Sequence, residues 1–242
     1  VTHSPERPLR IAVVETSSHG GLLHYAVKMA DALAARGHDT ELIVPTANEL
    51  AGAARQARVR AVLPTTVRGT VEPSARLAYQ ARRVGIAWRL TRSWGRIIAA
   101  ARRRDYDAMI INCDLHIWLA AGAALLLTLR PRRPLLADVC HNSRPYNRWN
   151  RHGLFVTSSL LTRLLRILYP RLDLVLVHGA RSRSVFEATW PPSRLVQIPF
   201  GNERLFDNPP GTASEERILF FGDWRKVKGL GVLMEAFDEL AT

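Results

Sequence analysis

Cysteine is nearly missing from this chain, with Cys113 and Cys140 the only two in 242 residues. Both end apolar runs that read as buried strands, so two core thiols in a reducing compartment are expected rather than a disulfide framework. Long apolar runs are also missing. The longest stretch free of charge and proline, Leu115 to Leu129, is shorter than the roughly 20 residues a membrane-spanning helix needs, and reads as a helix on a sheet's flank. Val1 to Arg10 is polar and lacks the charged-then-apolar order of a secretory leader, so secretion is not suggested. Acidic residues are scarce: 21 Asp and Glu face 34 Lys and Arg. The resulting charge of +13 favours a polyanionic partner, namely nucleotide phosphates, anionic lipid or nucleic acid. No grouping of His, Cys or carboxylates has metal-ligand spacing, so neither a metal nor a resident cofactor is expected. The GxGxxG spacing of a nicotinamide-dinucleotide fingerprint is absent too, which disfavours a dehydrogenase.

What the chain does have is a core and an alternating pattern. Hydrophobic residues make up 47%, ample for a globular interior. Strand-like runs at Leu9–Val14, Thr40–Val44, Val59–Thr65, Asp107–Asn112, Pro134–Cys140, Leu172–Val177 and Leu195–Ile198 alternate with helical periodicity at Gly20–Arg36, Ser74–Arg104, Leu115–Leu129, Val156–Tyr169 and Ala180–Trp190. Such alternation predicts an α/β, doubly wound parallel sheet, and Gly37 supplies a helix stop. Pro199 to Glu216, rich in Pro and Gly, reads as a linker. A new strand, basic turn and helix start follow in ILFFGDWRKVKGL, Ile218 to Leu230. The expected organisation is therefore a first domain over 1–200, a linker over 201–216, and the incomplete start of a second domain over 217–242.

Four segments carry candidate chemistry. Gly20 and Gly21 join the first strand to the first helix, where glycine permits close backbone approach and helix-start amides attract anions. His141, Asn142 and Arg144 follow a strand, where open α/β sheets present their ligand crevice. Arg225 and Lys228 sit in the basic turn after Gly222, suited to phosphate oxygens. Finally, Arg76 to Arg104 holds nine Arg and no acid. Helical spacing puts Arg82, Arg89, Arg92, Arg96 and Arg103 on one face, and Trp88 and Trp94 flank it as further membrane-surface candidates. A binding module without catalysis, docking this helix on anionic membrane or nucleic acid, is the competing function. No recognised nucleic-acid motif accompanies the charge, which makes nucleic acid the weaker partner.

The order of these features resembles the family 4 retaining glycosyltransferases of GT-B fold. The resemblance runs through the Gly-Gly loop, the strand ending in His141 and Asn142, DLVLVHGARSRSVF, IPFGNERLF and ILFFGDWRKVKGLGVLMEAF. It implies two Rossmann-like domains, the second truncated after its first β-α unit, and transfer of a sugar from a nucleotide-diphosphate sugar to an acceptor, which the Arg stripe suggests is lipid-linked, a polysaccharide being the alternative. By position it implies that Gly20 and Gly21 lie against the donor phosphates, that His141 is the catalytic-centre histidine, and that Arg225 and Lys228 clamp the diphosphate. Gly201 matches the glycine of the interdomain turn. His178 and Gly179 depart from the pattern, standing where a serine is common, and Trp224 replaces an aliphatic residue. The acidic pair that holds the donor would lie beyond Thr242, so residues 1–242 alone are expected to be inactive. The expected location is the cytoplasm, with peripheral contact to the inner membrane face.

Overall fold

The computed structural model describes residues 7–50, 52–63, 76–104, 106–112, 134–141, 165–199 and 229–240. Seven parallel strands form one sheet: β1 (Arg10–Val14), β2 (Asp39–Pro45), β3 (Arg58–Leu63), β4 (Ala108–Ile111), β5 (Leu135–Cys140), β6 (Leu174–Val177) and β7 (Leu195–Gln197). Their order across the sheet is β3-β2-β1-β4-β5-β6-β7. The chain thus winds outward from β1 through β2 to β3, then returns to place β4 against β1 and winds the other way. That reversal between β1 and β4 is the switch point at which open α/β sheets bind ligands. The doubly wound sheet expected from the alternating pattern is borne out.

The strands' sequences explain their places. In β1 every residue from Ile11 to Val14 is buried, as a central parallel strand covered on both faces requires. The edge strand β3 instead leaves Arg58, Val59 and Ala61 exposed, and its RVRAVL sequence mixes charge into the run accordingly. Two cores form, one on each face. Helix α1 (Gly21–Ala35) buries Leu23, Ala26, Val27 and Ala30 against Val13, Leu42 and Val44. On the other face, helix α2 (Arg76–Arg104) and helix α3 (Ala180–Thr189) contribute Trp94, Ile97, Ala101 and Phe186 to a cluster with Val14, Ile43, Met109, Ile111 and Val175. Tyr169, Phe186 and Trp190 close its far end, with ring centroids 4.8 to 5.8 Å apart.

Aspartates fasten the strands at their N-terminal rim. Asp107 accepts the Arg10 amide at 2.7 Å and Asp173 accepts the Leu136 amide at 2.8 Å, each carboxylate tying the start of a neighbouring strand. Asp31 of α1 receives the three consecutive amides of Arg55, Gln56 and Ala57 at 2.9 to 3.1 Å, pinning the approach to β3. Gly37, at φ 87°, ends α1 in the left-handed conformation, and the His38 amide reaches back to the Leu33 carbonyl, as expected of this stop.

Some expectations change. Trp94, read as a membrane-surface candidate, is 3% exposed and lies in the core. On α2 it shares a stripe with Ile97 and Ala101 at helical spacing, so it packs on the sheet while Trp88 points outward at 67% exposure. The stretch read as a helix ending at Tyr169 closes as a 3₁₀ turn, Tyr169–Arg171, where Pro170 cannot supply an amide to an α-helical bond. The sixth strand consequently begins at Leu174 rather than Leu172. Leu115–Leu129, the start of the helix read over Val156–Tyr169, and the strand at Ile218–Gly222 lie outside the described residues.

The chain divides into two compact units, Val1–Leu205 and Phe206–Thr242. In the second, helix α4 (Leu230–Leu240) starts after Gly229, whose φ is 77°. Among the described residues no helix is long and apolar enough to cross a membrane.

Candidate active site

Four side chains that each follow directly on a strand meet at the C-terminal rim of the sheet. Glu15 follows β1, Asn112 follows β4, His141 follows β5 and His178 follows β6. Because neighbouring parallel strands stand about 4.8 Å apart, consecutive strand ends bring such residues within hydrogen-bonding or stacking distance.

Asn112 is the hub. Fully buried, it donates from Nδ2 to Glu15 Oε2 and to the Leu22 carbonyl, both at 2.9 Å. A carbonyl only accepts, so the Leu22 contact fixes the amide's orientation and turns Oδ1 toward His141. His141 Nε2 lies 2.9 Å from that oxygen and must donate to it. The ring is therefore held as its Nε2–H tautomer, with Nδ1 as its acceptor nitrogen.

Burial sets the charge states. Desolvation pushes the Glu15 carboxyl up to about 7, against the opposing hydrogen bonds from Ser17, at 2.6 Å to Oε1, and from Asn112. Desolvation, and then the nearby His178, hold the His141 imidazole down at about 4. His178 is also lowered by desolvation, partly offset by a hydrogen bond to the Ile198 backbone. Near neutral pH this rim presents uncharged imidazoles. Tyr25 of α1 packs edge-on to both rings, with centroids 4.9 Å from His141 and 5.0 Å from His178, and the two imidazoles lie 5.0 Å apart. The result is a half-buried, aromatic-walled surface with hydrogen-bonding nitrogens.

Next to it, α1 begins at Gly20, where φ 85° and ψ −177° form a backbone conformation open only to glycine. The Gly20 amide is already engaged: it donates to Glu49 Oε1 at 2.6 Å, and His24 Nε2 stands 3.0 Å from the same oxygen. Where the sequence reading placed a ligand anion, the helix start holds a carboxylate of its own chain. Gly21 is the first helical residue and is exposed.

The remaining sequence candidates separate. Arg89, Arg92, Arg96 and Arg103 are exposed along α2, and Arg96 also donates to the Val62 carbonyl at 2.5 Å. Asn142, Arg144, Gly201, Arg225 and Lys228 lie outside the described residues, as does the side chain of Arg82. Sequence reading missed Glu15, Asn112 and Tyr25, and treated His178 only as a departure from pattern. The signal for the rim residues was present, since each polar residue directly follows a buried apolar strand. Among the described residues no cluster of three or more His, Cys, Asp or Glu is placed to hold a metal ion.

A doubly wound parallel sheet with polar side chains gathered at its switch point defines a Rossmann-like ligand-binding domain. The model of Glycosyltransferase Family 4 matches residues 19–201, and the chain belongs to that family. Sucrose-phosphate synthase from Thermosynechococcus elongatus is similar in structure: one structure aligns with TM-score 0.54 at 10% identity over 80% of this chain and 48% of that one. A second structure of that synthase aligns with TM-score 0.50 at 10% identity over 79% of this chain and 89% of that chain. The Streptomyces sp. SF2575 glycosyltransferase SsfS6 aligns at 15% identity and TM-score 0.47, over 86% of this chain and 59% of that one. At such identities the likeness speaks for the fold, and this chain spans about half the length of the longer synthase chain. No curated protein matches the sequence.

Proposed function

We propose that this chain forms the acceptor-side half of an enzyme that transfers a sugar from a nucleotide-diphosphate sugar to an acceptor with retention of anomeric configuration. The observation that carries the reading is His141, a neutral imidazole locked in one tautomer by Asn112 at the sheet's switch point. A sugar hydroxyl is uncharged and donates a hydrogen bond, so the Nδ1 acceptor of a neutral ring suits it better than an imidazolium would. Tyr25 and His178 add aromatic walls against which a sugar ring could pack. Arg225 and Lys228 are assigned by family resemblance to the departing diphosphate, whose developing charge cations stabilise. The exposed Trp88, Arg89 and Arg92 of α2 favour an acceptor carried at an anionic membrane surface, lipid-linked or polysaccharide, on the cytoplasmic side.

The test is sugar transfer by the full-length protein against a panel of nucleotide-diphosphate sugars, with the product's anomeric configuration read by NMR. His141→Ala is expected to lower kcat by about a hundredfold while leaving the fold intact. Undiminished transfer by that variant, or an inverted product, would overturn the reading.

A further inference from the structure

Away from the crevice, beside the edge strand β3, a cleft of about 420 Å³ opens between β3 and α2. Its shape follows from side-chain lengths. Ala99 and Ala100 on α2 and Ala61 on β3 stop at Cβ, leaving space between helix and strand. Arg96 and Arg103, one turn to either side on the same helix face, and Arg60 on the strand reach around that space. Thr46 adds a hydroxyl, and among the described residues no acid lines the cleft.

The Arg60 guanidinium is only partly satisfied by the protein. Arg60 Nη1 is buried and makes no hydrogen bond; the Glu41 carboxylate lies 3.7 Å from it and already accepts the Tyr106 hydroxyl. Among the described residues, one carboxylate thus stands behind three cations. Like charges converging on a half-enclosed space repel, and an anion between them removes that repulsion. A single guanidinium fork satisfies the two oxygens of a carboxylate, whereas three forks match the larger oxygen set of a phosphate.

We propose that this cleft binds the phosphate group of a ligand, as a second site separate from the sugar-binding crevice. It lies two strands out from β1, roughly 10 Å away. The proposal stands on Arg60, Arg96, Arg103 and the alanine floor, and does not depend on the transferase reading. The phosphate belongs either to an anionic lipid headgroup or to a soluble phosphorylated molecule.

Calorimetric titration of inorganic phosphate at low ionic strength, and flotation with mixed phosphatidylglycerol-phosphatidylcholine and pure phosphatidylcholine vesicles, test it on the whole chain. Arg103→Ala is expected to weaken phosphate binding roughly tenfold or more. Ala99→Leu fills the floor without changing charge and is expected to weaken it likewise. Arg36→Ala, an exposed arginine at the end of α1 and outside the cleft, is expected to bind as the parent does. Circular dichroism of each variant confirms the fold. Vesicle binding lost together with phosphate binding assigns the lipid headgroup, and phosphate binding lost alone assigns the soluble ligand; both support the site. No phosphate binding by the parent chain overturns the proposal. So does a loss with Arg36→Ala equal to that with Arg103→Ala alongside an unaffected Ala99→Leu, the signature of diffuse charge.

Discussion

Glu15 and His141 sit on opposite sides of one asparagine and respond to pH in opposite senses. The Glu15 carboxyl titrates near 7 in the folded chain and near 4.5 unfolded, so the folded state holds its proton longer. Its contribution to stability is complete below about pH 4.5 and is lost as pH rises toward 7, by on the order of 3 kcal/mol. His141 is displaced downward, from 6.5 to about 4, so its penalty acts at low pH and is relieved as pH rises toward 6.5. Through that shared window the two slopes offset each other. Glu15→Gln removes one of them, and its unfolding free energy is expected to climb with pH relative to the parent by about 1.4 kcal/mol per unit between pH 4.5 and 6.5. Urea denaturation at several pH values measures this; a parallel pair of curves would show that Glu15 does not titrate as its burial implies.

At the scale of the element, α2 carries two tryptophans with opposite fates. Trp94→Ala opens the core and is expected to cost about 3 to 5 kcal/mol, while Trp88→Ala is expected to stay within about 0.5 kcal/mol of the parent, both read by thermal or urea unfolding. Asp31→Ala strips the acceptor from three amides before β3 and is expected to cost about 2 kcal/mol, with faster proteolysis near Arg55. What could be read in advance follows the same division. Strands such as IAVV and helix α1 announce themselves, because continuous apolar runs and a 3.6-residue period are properties of one element alone. Helix α2 does not, since its tryptophans lie six residues apart and only the sheet beneath decides which one is buried. The site was half legible for the same reason. His141 stands out by residue type, whereas Asn112 gains its role only when β4 is inserted between β1 and β5, a neighbourhood that sequence order conceals.

For the molecule as a whole, the parallel sheet sorts its chemistry by end. Asp107 and Asp173 staple the N-terminal rim, and the C-terminal rim carries amide, imidazole and phenol around the crevice. The first rim holds the fold together through carboxylate-amide bonds, while the second gathers the side chains to which the proposed function assigns recognition. Glu49 crosses that division. Its carboxylate sits on the Gly20 amide at the start of α1, so a donor phosphate bound there, as the family resemblance implies, would exchange with an anion that the chain already carries. Observed affinity is then the intrinsic affinity multiplied by the fraction of molecules in which the loop after β2 has let go. Glu49→Ala abolishes that competition and is expected to tighten donor binding about threefold to tenfold by calorimetry, with weaker binding as the contrary result. A helix start that carries its own anion would turn away stray ones and favour those with enough further contacts to displace the occupant.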